Sequence, residues 1–152
     1  MKDISPRVLF GSIIAYVLLL LYVYALREAI VLAQSVPEAG ASLPELNPGV
    51  GRTLATVGGL VSALVISQLA ITEPGEGLGS LFSKEASGGA RVKDVLNLGY
   101  VLGWIVAGAA AVLVGELQFP GKVPALTNFA QAWLGLAVAA GYSYFGIKPP
   151  SA

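Results

Sequence analysis

Long apolar runs, separated by shorter segments rich in polar residues, proline and glycine, form the main pattern of the chain. These runs predict four helical spans at residues 8–33, 53–72, 95–117 and 125–147. Each approaches or exceeds the roughly 20 apolar residues that an α-helix needs to cross the hydrocarbon core of a bilayer. The pattern therefore predicts an all-α membrane protein, a bundle of four transmembrane helices forming one integral membrane domain over residues 1–152.

The first run has an alternative interpretation as a cleaved signal peptide. The apolar core of a signal peptide covers about 7 to 15 residues, and this run is longer, so we interpret it as a retained span. Residues 34–52 are predicted to form an irregular outer loop, because proline and glycine interrupt them, and residues 73–94 a polar inner loop. We expect a tight turn at Asn47, Pro48 and Gly49, with Asn47 or Thr53 capping the second span.

Small or polar residues recur at every fourth position in three of the spans. These ladders are Ala55, Gly59, Ala63 and Ser67; Gly99, Gly103, Ala107, Ala111 and Gly115; and Thr127, Gln131, Gly135, Ala139 and Ser143. In lipid, helices associate through close packing over small residues and through hydrogen bonds. A four-residue step drifts by about 40° around a helix, so one neighbour cannot cover a whole ladder. We predict that the ladders are seams, either inside one bundle or between copies of the chain.

Amide and hydroxyl side chains lie inside the predicted spans. Thr127, Asn128 and Gln131 stand near the start of the fourth span, and Gln68 lies near the end of the second. In one interpretation they bond across helices. In the other, they are repeated around an oligomer axis and line a water-filled pore.

Four ionisable residues are expected at the outer membrane edge. They are Arg27, Glu28, Arg52 and Glu116. Because an unpaired charge near lipid is costly, we expect Glu116 or Glu28 to neutralise Arg27 or Arg52.

Tryptophan and phenylalanine inside the spans are the largest side chains to place. Trp104 lies deeper than an interfacial aromatic residue, so we predict a packing role. Trp133 and Phe129 are expected to face lipid or a neighbouring subunit.

Composition agrees with a membrane protein and excludes several function classes. Hydrophobic residues make up 55% of the chain and charged residues 12%, against about 25% charged in soluble domains. Basic and acidic residues number nine each, so no positive excess favours nucleic acid. Cysteine and histidine are absent, which removes thiolate chemistry, the usual general base and the commonest metal ligand. We expect no enzyme activity, no cofactor and no metal site.

Basic residues predict the orientation. Lys2, Arg7, Lys84, Arg91, Lys93 and Lys148 fall on one side, and Arg52, Lys122 and Arg27 on the other. The positive-inside rule then places both termini in the cytoplasm, with up-down topology. We expect a bacterial or archaeal plasma membrane.

Three function hypotheses follow from these features. The first is a channel or pore formed by identical copies, with Thr127, Asn128 and Gln131 at its mouth and the ladders as subunit contacts. The second is a non-catalytic accessory or scaffold subunit of a larger membrane complex. The third, a small proton-coupled carrier, requires a carboxylate buried away from both membrane surfaces.

Overall fold

The computed structural model describes residues 6–35, 45–70 and 88–145. Side chains are described from Leu9 onward in the first range and from Val95 onward in the third. They form four long helices, α1 (Pro6–Ser35), α2 (Pro48–Ala70), α3 (Gly88–Val112) and α4 (Pro124–Phe145). A π-helical segment, Leu113–Gln118, continues α3. No strand occurs in these ranges, so the all-helical prediction is confirmed there.

Three helical stretches are long and apolar enough to cross a membrane. They are Leu9–Ser35, Pro48–Ala70 and Val95–Gln118. These correspond to the first three predicted spans, and α4 is a fourth helix at the position of the last one. The membrane class is therefore supported by the length and composition of three helices, which pack with α4 in one bundle.

The beginning of α2 differs from the sequence prediction. Asn47 caps the helix, because its Oδ1 accepts a hydrogen bond from the backbone N–H of Gly49 at 2.8 Å. Pro48 occupies the first helical position, where its missing N–H costs nothing. The expected tight turn is therefore the first turn of α2, and Thr53 donates to the carbonyl oxygen of Gly49 instead of capping.

Parts of both predicted loops are helical. Residues 48–52 belong to α2, and residues 88–94 belong to α3. The remaining loop residues, at 36–44 and 71–87, lie outside the described ranges, as do residues 146 and 147 of the predicted fourth span. Six of the nine basic residues used for the orientation argument either lie outside these ranges or have undescribed side chains.

The helices surround one core in the order α1, α2, α4, α3, with each helix packed against the next and α3 against α1. Aromatic pairs fill this core. The rings of Tyr22 and Phe129 lie 5.5 Å apart, and those of Trp104 and Trp133 lie 5.2 Å apart. Trp104 is buried, so the packing prediction is confirmed. The outward placement of Trp133 and Phe129 is wrong, because they are only 7% and 8% exposed.

Two glycines accept these aromatic rings. A Cβ built on Gly108 would lie 1.8 Å from Cε2 of Trp133, and one on Gly58 would lie 2.6 Å from Cε2 of Phe129. Both distances are far below an ordinary carbon–carbon contact of about 3.5 Å. The helices therefore meet where a ring from α4 packs directly on the backbone of α2 or α3.

A buried hydrogen-bond chain connects α3 to α2. The indole Nε1 of Trp104 donates to the hydroxyl of Ser62 at 2.8 Å, and that hydroxyl donates to the carbonyl oxygen of Gly58 at 2.8 Å. Each polar atom in the chain has a partner, which removes the cost of burying it. The chain fixes the depth of Trp104 against α2.

A tight connection joins α3 to α4. The N–H of Phe119 donates to the carbonyl oxygen of Val114 at 2.9 Å, which ends the π-helical segment. Gly121 then adopts a φ of 71°, a conformation that residues with a Cβ rarely take. Thr127 donates from Oγ1 to the carbonyl oxygen of Gly115 at 3.0 Å and ties the start of α4 to the end of α3.

Candidate functional site

The ladder of the second span lies on the outside of the bundle. Ala55, Gly59, Ala63 and Ser67 are all exposed, and a Cβ on Gly59 would meet no atom within 4 Å. The core is contacted by the other side of α2, on which Leu54, Gly58, Val61, Ser62 and Val65 are buried. This ladder is not a seam within the described part of the chain, and its contact with another chain stays a prediction.

The ladder of the third span packs inside the bundle. Ala107, Ala111 and Gly115 are buried, Gly103 is half-buried and Gly99 is exposed. A Cβ on Gly99 or Gly103 would lie 3.0 Å from the Tyr16 hydroxyl or 3.1 Å from Cδ2 of Leu19, both on α1. A Cβ on Gly115 would lie 3.0 Å from Cγ of Leu126 on α4. The ladder thus meets two neighbouring helices in succession.

The ladder of the fourth span divides between inside and outside. Thr127, Ala139 and Ser143 are half-buried, whereas Gln131 and Gly135 are exposed. Thr127 bonds to α3, as its interhelical interpretation requires. A Cβ on Gly135 would meet no atom within 4 Å, so this position is open for contact with another molecule.

The exposed small residues of α2 and α4 share one side of the bundle. Successive helical residues turn by about 100°, and on α2 the side toward α1 carries Leu64 and Gln68. Ala55 and Gly59 lie on the opposite side of Gly58, toward α4. On α4, Thr127 lies on the side toward α3. The ring of Phe129 packs on Gly58 of α2, so residues on the side of Phe129 away from Thr127 lie toward α2. We call this surface the small-residue face; its members are Ala55, Gly59, Ala63, Asn128, Ala132 and Gly135.

The outer surfaces of α1 and α3 have a different character. Large apolar side chains project there from the described parts of both helices and of the π-helical segment. They include Phe10, Ile14, Leu20, Leu102, Val106 and Leu117. On α2, by contrast, the exposed large apolar residues are Leu60 and Leu64. α4 also exposes large apolar residues, namely Leu134, Val138, Tyr142 and Phe145. The bundle therefore has a bulky apolar face on α1 and α3, suited to lipid, whereas α2 and α4 combine some large apolar residues with the small-residue face.

Two amides stand on the outer surface near the start of α4. Asn128 and Gln131 are exposed, and neither side chain makes a hydrogen bond with a described residue. At a rise of 1.5 Å per residue, Gln131 lies about 10 Å along α4 from Pro124. Neither amide joins helices within the described part of the chain, so the interhelical interpretation finds no support there.

The predicted ionisable residues are only partly paired. Arg27 and its neighbour Glu28 form an ion pair at 3.1 Å, with side chains 69% and 37% exposed. Arg52 is exposed and has no ion pair among the described residues. Glu116 is half-buried in the π-helical segment, and its Oε1 is buried without a hydrogen-bond partner in the described ranges. The pair of Glu28 with Arg27 is one of the pairings that the sequence predicted.

A polar groove of about 250 Å³ lies between α1, α2 and α3. Gln68 donates from Nε2 to Oδ1 of Asn97 at 3.0 Å, which is the interhelical bond that one interpretation of Gln68 predicted. Tyr16 donates to the carbonyl oxygen of Leu96 at 2.7 Å. The groove, which we call the polar groove, is lined by Gly11, Ser12, Ala15, Tyr16, Leu64, Gln68, Leu96, Asn97 and Tyr100.

Sequence reasoning did not identify Ser12, Asn97 or Tyr100 as groove residues. Asn97 was detectable as an amide just inside the third span, at the same membrane level as Gln68 if neighbouring helices are antiparallel. For the hydroxyl groups of Ser12 and Tyr100, the sequence gives no comparable indication of their neighbours. Within the described ranges, no group of acidic residues stands close enough to hold a metal ion.

Comparisons of the chain with models of protein families, with curated proteins and with solved structures found no match.

Proposed function

We propose that this protein is an integral membrane protein that assembles from identical copies through the small-residue face and encloses a water-filled pathway between them. The main supporting observation is the difference between two outer surfaces: α1 and α3 expose bulky apolar side chains, whereas the small-residue face of α2 and α4 is small and partly polar. The distribution of basic residues supports cytoplasmic termini, and the proposal includes a bacterial or archaeal plasma membrane. The proposal assigns no reaction to the protein.

Packing physics supports contact between copies at this face. Lipid tails are as apolar as leucine, so helices in a bilayer gain by associating only where their backbones approach closely or form hydrogen bonds. Gly59 and Gly135 are open positions at which another helix can come near the backbone. From Leu9 onward on α1 and from Val95 onward on α3, the surfaces offer no comparable row of small residues, and their large side chains fit acyl chains.

The amides at the start of α4 support the pathway. Asn128 and Gln131 point away from their own bundle, and burying an amide in hydrocarbon without a partner costs several kcal/mol, about 2 to 7. Repeated around an axis, these side chains meet water or one another instead of lipid. Thr127 contributes differently from the sequence expectation, because its hydroxyl is engaged with Gly115.

The first experiment measures assembly by native mass spectrometry of the purified chain in mild detergent. The proposal predicts a discrete homo-oligomer that Gly59→Leu converts to monomer, since a leucine blocks close helix approach. Gly11→Leu is the matched control, because Gly11 is equally open but lies on α1. A wild-type monomer, or equal effects of both substitutions, contradicts assembly through this face.

The second experiment measures ion flux from liposomes that contain the purified chain. Gln131→Leu, outside the small-residue face, should lower flux about tenfold and leave the oligomer mass unchanged. A stable oligomer without flux contradicts the pathway. A monomer that associates only with foreign chains supports the accessory-subunit alternative, which uses the same face.

The carrier hypothesis gains little support from the described carboxylates. Glu28 lies in the last third of α1, and Glu116 lies in the π-helical segment at the end of the third apolar stretch. Neither is near the middle of a span, where a proton-coupling carboxylate would be expected.

A further inference from the structure

Four exposed residues of α4 form one row along the helix. They are Gln131, Val138, Tyr142 and Phe145. Successive residues of an α-helix turn by about 100°, so a separation of seven, eleven or fourteen residues returns to within about 40° of the starting direction. The row, which we call the α4 row, therefore projects from a single side of α4, opposite the buried Phe129, Ala130 and Trp133.

The α4 row begins with a polar side chain and continues with an apolar one. Gln131, about 10 Å from the start of α4 at Pro124, is exposed and makes no hydrogen bond with a described residue. Val138, about 10 Å further along the helix, is 57% exposed, and Leu134 is exposed beside the row. Between Gln131 and Tyr142, about 16 Å apart along the axis, the row carries no hydrogen-bonding side chain.

Val138 lies in the interior of α4, away from both helix ends. It is about 21 Å from Pro124 and about 10 Å from Phe145, the last residue of the helix. Tyr142 and Phe145, by contrast, belong to the last turn, and aromatic side chains suit the membrane boundary. Val138 is therefore the apolar member of the α4 row that stands at depth in the helix.

The direction in which the α4 row faces rests on the proposed function. Gln131 faces the water-filled pathway in that proposal, because an amide without a partner in hydrocarbon is costly. α4 is continuous from Pro124 to Phe145, and Val138 differs in direction from Gln131 by only about 20°. A helix that turns Gln131 toward the pathway therefore turns Val138 the same way. The pathway is then polar at Gln131 and apolar about 10 Å deeper.

We propose that Val138, repeated in each copy around the pathway, forms an apolar constriction that limits flux. An apolar ring disfavours water in a narrow passage, so a hydrated solute meets its main barrier there. Gln131 holds water at the mouth of the pathway, and Val138 restricts the entry of that water into the deeper part. Val138 is not a member of the small-residue face, so its side chain can be changed without altering the contact between copies.

The test measures ion flux from liposomes that contain the full chain with Val138→Thr. Threonine is β-branched like valine but carries a hydroxyl, so it favours water in the constriction without widening it. Flux should rise about tenfold, and the oligomer mass should stay unchanged. Val106→Thr is the matched control, because it makes the same chemical change at a residue that is 67% exposed on the bulky apolar face of α3. Its flux should equal that of the wild type.

A second measurement is independent of flux. The chain has no cysteine, so Gln131→Cys, Val138→Cys and Val106→Cys each provide a single thiol for a charged, water-soluble methanethiosulfonate reagent. The reacting species is the thiolate, which forms in contact with water. The thiol at position 131 should react fastest, the thiol at position 138 more slowly, and the thiol at position 106, in lipid, slowest of the three. Equal reaction rates at positions 138 and 106 would place Val138 against lipid and overturn the constriction.

Different results separate a failure of the constriction from a failure of the pathway. Lower flux in Gln131→Leu together with unchanged flux in Val138→Thr overturns the constriction alone. An equal rise of flux in Val138→Thr and Val106→Thr also overturns it, because the effect would not depend on the α4 row. Absence of flux from both the wild type and Val138→Thr overturns the pathway together with the constriction.

Discussion

Replacing Gly108 with alanine tests the packing of α3 against α4. The added Cβ would lie 1.8 Å from Cε2 of Trp133, so the ring must retreat by about 1.7 Å to reach an ordinary contact of about 3.5 Å. Trp133 is buried and its ring contacts Trp104 at 5.2 Å, which leaves little room for that movement. We therefore expect a substantial loss of stability from a single methyl group.

The magnitude is the balance of two effects. Overpacking a core costs typically about 1 to 3 kcal/mol, and the rigid indole ring places Gly108→Ala near the upper end. Alanine also favours the helix by up to about 1 kcal/mol over glycine. The expected net loss is about 2 kcal/mol. Gly141→Ala is the matched control, because a Cβ there meets no atom within 4 Å, and it should change stability little or raise it.

The assay is unfolding by SDS titration in mixed micelles, followed by tryptophan fluorescence, which reports directly on Trp104 and Trp133. Combining Gly108→Ala with Trp133→Phe should recover part of the loss, because the smaller ring makes room for the methyl group. Equal stability of Gly108→Ala and Gly141→Ala would refute the close approach of the indole to α3.

Three other substitutions probe single interactions by the same unfolding assay. Ser62→Ala should lower the free energy of unfolding by about 1 to 3 kcal/mol, because it leaves the buried indole N–H of Trp104 without its acceptor. A loss below 0.5 kcal/mol, on the order of assay error, would argue against that bond. Thr127→Val should cost about 1 kcal/mol through the lost bond to Gly115, whereas an unchanged midpoint would place that hydroxyl elsewhere. Arg27→Leu should change stability by less than about 0.5 kcal/mol, since its ion pair is exposed; a large loss would show that the guanidinium is buried in the membrane protein.

The sequence was sufficient to predict the helices because their signal is local. Twenty or more apolar residues between segments with proline, glycine and charge specify a helix wherever it packs. The start of α2 was missed because Asn47 and Pro48 fit both a tight turn and a helix N-terminus. The two alternatives differ in whether residues after Gly49 continue as helix, which depends on packing as well as on local preference.

Which side of each helix faces the core was harder to predict. The four-residue ladder on α2 is regular, yet the buried glycine is Gly58 and the ladder residue Gly59 is exposed. On α3 the close approach uses Gly108, one position beyond the ladder residue Ala107. In a span that is apolar all round, hydrophobicity does not distinguish the two sides, so the large partners Phe129 and Trp133 decide the register.

The polar groove was missed for a related reason. Its residues come from three helices, and no spacing along the chain brings Ser12, Gln68 and Tyr100 together. Gln68 was recognised as a polar residue inside a span, and its bond to Asn97 agrees with the interhelical interpretation. The groove itself is a property of tertiary packing.

The most direct test of the account compares two labelled positions in a bilayer. The chain has no cysteine, so Gly59→Cys and Val106→Cys each introduce a single site for a nitroxide spin label. Both positions are exposed on the bundle, one on the small-residue face and one on the bulky face. If copies assemble through the small-residue face, oxygen dissolved in lipid should reach the label at position 106 freely, while the label at position 59 should be shielded and its spectrum broadened by a second label nearby. Equal oxygen accessibility at both positions, without broadening, would contradict assembly through the small-residue face.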